Sequence, residues 1–465
     1  MSFIAVDLGT SFIKGAVLDL SARRIEHIQR VPFPDPIPGL PALYREFDPN
    51  TILSAVCALL DQLAPFAGNC EGLVMCSQMH GLVFCTERGE ARSNLTTWLD
   101  QRVLMPHPAG QGTYFDVLMQ HVTPEEFRQL GNELRPGLPV GLLFWLAEQG
   151  QLPREDWIAA SLPDFVLAHL GSTEPSIDTT NAMAHVLLNL EKLDWHHTVM
   201  TKLGLDRVRW PRLRLHGEQV ALVKIGSRTI PCYTPIGDYQ CAMAGSLLHY
   251  GELSLNISTG SQVSLLKPQL EFGNYQVRPF FDGRFLATIT HIPAGRALTA
   301  LVKLLSELAQ AQGIELSDPW PYIARAAAEA GRADLRVDLA FFNSSCGDQG
   351  EITHIREAEL TVGHLFRAAF QNMADNYLAC SQRLSPEQSW RNLVLAGGLA
   401  QKIEVLRDLI YEKFQKPIRL CPTAEDTMLG LMVLALAFSG RAASIEQAIA
   451  DLFESYQEEN QNVPL

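Results

Sequence analysis

"VDLGTSFIKGAVLDL", Val6 to Leu20, is the stretch on which the fold turns. An apolar run ends in a carboxylate, a Gly-Thr-Ser turn follows, and a second apolar run returns. β-Branched and aromatic residues on both sides of a glycine turn predict two strands, Phe3 to Val6 and Phe12 to Leu18. An Asp at the end of a buried strand is costly unless something uses its charge. For Asp7, a metal, or an anion with its metal, is such a partner. Gly9 lets the backbone approach closely, and the turn's N–H groups and hydroxyls can donate to phosphate oxygens. The plainer alternative is an ordinary hairpin turn.

The same shape returns in "GELSLNISTGSQVSLL", Gly251 to Leu266, with its turn at Thr259-Gly260. This weak internal repeat divides the chain near its middle, with the boundary at Gly245: residues 1–244 and 245–465. Two such turns, one from each half, could hold a polyphosphate between them. Asp7 would hold Mg²⁺ through water, since that ion gives up its hydration reluctantly. No GxxxxGK[ST] motif is present, so the site is not of the Walker type. A third glycine turn, "NLVLAGGLAQ" (Asn392 to Gln401), follows a strand and precedes a helix, where a flat base could lie against the backbone.

Two polar groups of residues remain. "SQMHGLVF" places Ser77, Gln78, Met79 and His80 at the end of a strand predicted over Gly72 to Cys76, and "TTWLDQR" adds Trp98, Asp100 and Arg102. A polyol site needs this mixture of apolar surface and fixed hydrogen-bond partners. The alternatives are a satisfied core histidine for His80 and a local ion pair for Asp100 and Arg102. Asp238, in "IGDYQ" at a predicted helix start, reads either as a general base for a hydroxyl proton or as a simple cap. His196 and His197 have no carboxylate at metal spacing and read as structural.

The chain has 465 residues, 47% apolar and 19% charged, with a formal net charge of −14. Its length implies two domains. The acidic balance argues against nucleic acid and anionic membrane as partners. Nine cysteines without a CxxC pair read as reduced thiols and a cytoplasmic setting. No signal-like segment is evident at the N-terminus. Met428 to Phe438 is too short to span a bilayer and reads as a buried helix.

Taken together, "VDLGTSFIK", "SQMHG", "TTWLDQR", "IGDYQ", "NISTGSQ" and "LVLAGGLAQ", in this order, resemble the FGGY carbohydrate kinases. The likeness covers essentially the whole chain. Within the family it is greatest to sedoheptulokinases, through "SQMHGLVF", "LNISTGSQ" and a helical segment at Arg356 to Asn372. The resemblance implies an α/β protein with two ribonuclease-H-like, actin-like ATPase domains flanking a catalytic cleft. It implies ATP and Mg²⁺, a ketose as acceptor, and transfer to a terminal hydroxyl, with sedoheptulose ahead of xylulose or ribulose. By position, Asp7 matches the metal-linked acid and Asp238 the proton acceptor. Thr10, Ser11 and Lys14 match the first phosphate loop, and Thr259 and Gly260 the second. Gly295, Gly397 and Gly398 match positions near ATP, and Met79 and His80 a pair that touches sugar. Tyr239 stands where many members carry Gln or Asn, with Gln240 one later, so which of them reaches sugar is left open. "FFNSSCGDQGEI" (Phe341 to Ile352) departs from the family pattern and receives no role. A homodimer is left as an open expectation. The rivals are a pentulose kinase, an actin-like nucleotide switch and a catalytically dead sugar sensor.

Overall fold

The structure is a computed structural model that describes residues 1–110, 112–153 and 156–461, with side chains through Gln457. The first sheet contains β1 (Ser2–Leu8), β2 (Phe12–Asp19), β3 (Arg24–Pro32), β4 (Cys70–Ser77), β5 (Gln219–Ile225), β6 (Arg228–Tyr233) and β7 (Ile236–Gly237). Its order is β5-β6-β4-β1-β2-β3, with β7 also on β4. The second contains β8 (Glu252–Asn256), β9 (Ser261–Lys267), β10 (Gln276–Pro279), β11 (Phe285–Ile292), β12 (Asn392–Ala396) and β13 (Ile418–Leu420), in the order β10-β11-β9-β8-β12-β13.

The repeat seen in the sequence is a repeat of topology. β3-β2-β1-β4-β6 and β11-β9-β8-β12-β13 share one order, antiparallel across the hairpin and parallel beyond it. This is the two-domain ribonuclease-H-like, actin-like arrangement. Both opening hairpins form as expected, slightly longer than the apolar runs alone indicate.

Strand periodicity decides where Asp7 points. Successive side chains alternate between faces. Ile4, Val6 and Leu8 pack with Ile52, Val56, Leu59 and Leu63 of α1 (Pro49–Leu63). Phe3 and Ala5 pack on the opposite face, against α2 (Asp238–Gly245) and, further along the chain, α6 (Asp426–Phe438). Asp7 is in phase with Phe3 and Ala5 and so lies on the α2/α6 side. In the second sheet Leu253 and Leu255 join the core with α3 (Gly295–Ala311) and α5 (Val362–Leu384), while Asn256 falls out of that phase. Asn256 thus holds the place in β8 that Asp7 holds in β1.

Helices α2 and α6 cross where each carries a glycine. A Cβ on Gly245 would stand 1.8 Å from the Asp426 carbonyl oxygen, and one on Gly430 2.0 Å from that of Cys241. Only glycines allow backbones this close. Met428 to Leu436 are all buried, as the apolar run requires. Between β4 and β5 the chain builds a separate core around Leu82, Phe84, Leu143 and Leu188. Its helical part is broken up: Pro124–Gln129, Pro139–Glu148 and Leu162–Gly171, each with Pro near its start, and a strand at Ile158–Ala160. The helix expected from Arg356 instead begins at Val362. The Thr361 hydroxyl caps it by accepting from the His364 N–H, and Glu357–Glu359 forms a 3₁₀ turn before it. Among the described residues no helix is long and apolar enough to cross a membrane.

Candidate active site

A cavity of about 450 Å³ lies between the two sheets. Of the residues singled out in the sequence, Thr10, Gln78, Met79, His80, Trp98, Asp238, Tyr239 and Gly260 line it. Thr10 donates to Gln78 Oε1 at 3.3 Å, and Gln78 Nε2 donates to the Gly9 carbonyl at 3.4 Å, so the strand end and the first turn brace each other. His80 has a φ of +66° and its Nδ1 lies 2.8 Å from the Ala184 carbonyl. Tyr239 bonds through its hydroxyl to Ser264 and to Thr288, the latter at 2.8 Å.

Asp238 is the first residue of α2, and Gly237 occupies the cap position, so capping does not account for the carboxyl. Burial, followed by the charge of Asp7, raises it from 3.8 to about 7. Asp426 mirrors it at the start of α6. Burial raises it to about 6, reinforced by Asp7 and Glu425. Asp7 sits behind Thr427, whose hydroxyl donates to Asp7 Oδ2 at 2.8 Å, while Oδ1 is buried with no hydrogen-bond partner. Burial raises its pKa as well. An orphaned, desolvated carboxylate oxygen suits a cation. No group of three His, Cys, Asp or Glu among the described residues could hold one unaided. A metal there would complete its shell with nucleotide phosphate and water, as Mg²⁺ commonly does.

A second cavity, of about 740 Å³, is lined by Ser258, Thr259, Gly295, Gly398, Trp320, Leu399 and Ile403, among others. Trp320 begins α4 (Trp320–Glu329). Gly397, next to the lining, has a φ of +89°, and a Cβ there would meet the Ile257 carbonyl at 2.3 Å. Beside Gly260 and Gly398 the space is open. The second Gly/Thr turn therefore faces both cavities, Thr259 one and Gly260 the other.

Several expected residues stand elsewhere. Arg102 is buried and donates to Asp100, through Nε at 2.8 Å and Nη2 at 2.6 Å, and to Glu46 at 2.6 Å, beneath the Tyr44 ring. Neither Asp100 nor Arg102 lines the cleft; they brace a loop, in which Asp100 Oδ2 also accepts from the Arg45 N–H at 2.9 Å. Gln240 is fully buried and donates to the Pro279 carbonyl, because it points away from the cleft one residue beyond Tyr239. Lys14 pairs with Glu425 at 3.1 Å. Ser11 lines neither cavity, and its carbonyl accepts from Phe33 N–H. His196 caps a helix, His197 to Lys202, by accepting from Val199 N–H.

The cleft also holds residues the sequence reading passed over. Arg135, Arg278, Asn256, Asp426, Thr427, Thr290 and His291 line it. Fully buried Glu133 accepts from Arg278, whose guanidinium lies 4.7 Å from the centroid of the Tyr239 ring. The signals were present: an Arg inside the strand "QVRP", charges in the turn-rich "GNELRPGLP", and an Asp opening an apolar helix in "TAEDTMLG".

Residues 2–245, more than half of the chain, match the model of the N-terminal domain of the FGGY family of carbohydrate kinases. The chain belongs to this family. Among curated relatives it is 27% identical over 210 residues to an autoinducer-2 kinase of Photorhabdus laumondii, covering 43% of this chain and 38% of that protein. It is 21% identical over 207 residues to glycerol kinase 2 of Saccharolobus solfataricus, covering 42% and 36%. The chain thus matches less than two fifths of the length of these curated relatives. The fold extends further than the sequence match. Ligand-bound xylulose kinase from Lactobacillus acidophilus superposes with a TM-score of 0.83 at 18% identity, over 96% of this chain and 91% of that one. Glycerol kinase of Plasmodium falciparum with ADP gives 0.81 at 14% identity, over 99% and 96%.

Proposed function

We propose that the protein is an ATP-dependent carbohydrate kinase that phosphorylates a terminal hydroxyl of an open-chain acceptor. One observation carries this reading. The Asp238 carboxyl, raised to about 7, faces a cavity with polyol-binding groups and lies close enough to Asp7 to feel its charge. A base poised near neutrality suits removal of a hydroxyl proton. In this reading residues 1–244 and 245–465 are the two domains, and the cleft lies between them.

The acceptor rests on Met79, His80, Gln78, Trp98 and Tyr239. Asp238 accepts the proton of the hydroxyl as it attacks the γ-phosphate in line. Thr10 and Gly260 approach the transferred group from opposite halves of the chain, and donors preset there oppose its developing charge. Trp320, Leu399 and Ile403 offer an apolar slot for the nucleotide base. Mg²⁺, held on Asp7 with the nucleotide, would neutralise phosphate charge. Closure of the halves would exclude water and limit wasteful hydrolysis.

Sedoheptulose is the acceptor named by the resemblance, and xylulose or ribulose the next. The test is ADP release by purified protein against ketoses, polyols and sugar acids. With the true acceptor, Asp238→Asn should lower turnover roughly 10²–10⁴-fold while acceptor binding changes little. Near-normal turnover in that variant removes Asp238 from the role. No stimulation by any acceptor would leave a nucleotide switch as the reading.

A further inference from the structure

The acceptor end of the cleft carries an unbalanced positive charge. Arg278 donates to both oxygens of Glu133, with Nε at 2.9 Å, and that buried pair is complete. Arg135 is a second cation on the same wall. Its Nη2 stands 3.9 Å from Glu133 Oε1, beyond hydrogen-bond distance. Its Nη1 donates to His291 Nε2 at 3.2 Å, and its Nε is buried without a partner. The nearby histidines add no charge of their own. Burial, aided by Arg135 and Arg278, holds His80 neutral at about 3 and His291 at about 4. Two guanidinium groups thus share one carboxylate. The Arg135 side chain is 29% exposed and lines the cavity, and a guanidinium fork matches a carboxylate in shape.

The cleft also has a direction. Asp7 is bonded to Thr427, next to Asp426 at the start of α6, whereas Arg278 and His80 stand at Glu133, with Arg278 4.7 Å from the Tyr239 ring centroid. Lys14 pairs with Glu425 at the Asp426 end. The carboxylate-rich end suits metal and phosphate, and the arginine end lies toward the rest of the acceptor.

We propose that the acceptor is a sugar acid: an open-chain polyol whose single carboxylate is held by Arg135, beside Arg278, while its terminal hydroxyl reaches Asp238. This rests on the kinase reading and departs from a neutral ketose. A surplus of one charge matches a monoanion better than a phosphate ester.

The experiment compares acceptors that differ only at the terminal carbon: gluconate with glucitol, and ribonate with ribitol. Each is assayed by ADP release at saturating MgATP, alongside sedoheptulose, xylulose and glucose 6-phosphate. The acid should exceed its alcohol by roughly 10- to 100-fold in kcat/KM, the range for a charge-assisted contact. In Arg135→Gln that ratio should collapse, mainly through KM. Arg135→Lys should retain part of it, and thermal melts of both variants verify folding. Sedoheptulose, xylulose or the alcohols outperforming every acid would overturn the proposal and leave the kinase reading standing. Preference for glucose 6-phosphate would assign the arginines to a phosphate ester and overturn the carboxylate. An unchanged ratio in folded Arg135→Gln would remove Arg135 from the contact. If no acceptor of any kind stimulates ADP release, the kinase reading falls and this inference with it.

Discussion

At the residue scale, Asp238 connects burial to pH. Its folded pKa, about 7, exceeds the 3.8 of a free carboxyl. Below that pH it is protonated and cannot accept a proton. The kcat/KM for the acceptor should therefore rise with pH and level off near 7, and the slope should disappear in Asp238→Asn. Mg²⁺ beside Asp7 would offset its repulsion, so the kcat/KM profile for the acceptor should lie at lower pH with saturating than with limiting MgATP. Stability should run the other way. Between the unfolded and folded pKa values the native protein holds a proton that the unfolded chain releases, so stability falls as pH rises through about 7. Asp238→Asn removes this penalty, and its melting temperature relative to wild type should be higher at pH 8 than at pH 5. A gap independent of pH would show that the carboxyl is not perturbed. In the second cavity, Trp320→Ala should raise KM for ATP while acceptor KM stays near wild type, which steady-state kinetics with each substrate varied would check.

At the scale of elements, the crossing of α2 and α6 sets the positions of Asp238 and Asp426, since each begins one of these helices. Gly430→Ala would press a methyl group into the backbone of α2. Overpacking of this kind costs typically about 1–3 kcal/mol. Urea unfolding should show that loss, and kcat should fall by up to about 10², because a displacement of about 1 Å is enough. A variant that lost stability but kept full kcat would show that the crossing does not position the base. The low-polarity, small-residue character of "DYQCAMAG" was visible in the sequence. Its reason was not, because the partner helix lies far along the chain.

At the scale of the whole molecule, Glu425 ties the start of α6 to Lys14 and Arg30 on the first sheet. Lys14, expected at the phosphates, is thus paired with Glu425, while its charge still acts to lower the Asp7 and Asp426 carboxyls. The cleft is lined from both halves, by Thr10 from one and Gly260 from the other. Nucleotide and acceptor together should therefore compact the molecule. Small-angle scattering of free and doubly liganded protein measures this. An unchanged radius of gyration would count against closure.

Strand alternation and glycine turns are local properties, so the two hairpins, their repetition and the carboxylate at the end of the first were legible along the chain. The sequence also showed Asp238 at a helix start and an apolar helix at Met428 to Phe438, since both follow from short-range pattern. Which polar residues share the cleft became apparent from the fold alone. Asp100 and Arg102 satisfy each other and Glu46 away from it, and Gln240 turns into the core one position beyond Tyr239. Arg135 and Arg278 meet around Glu133 although they come from opposite halves of the chain. Charge pairing depends on distance in space, and local sequence does not encode that distance.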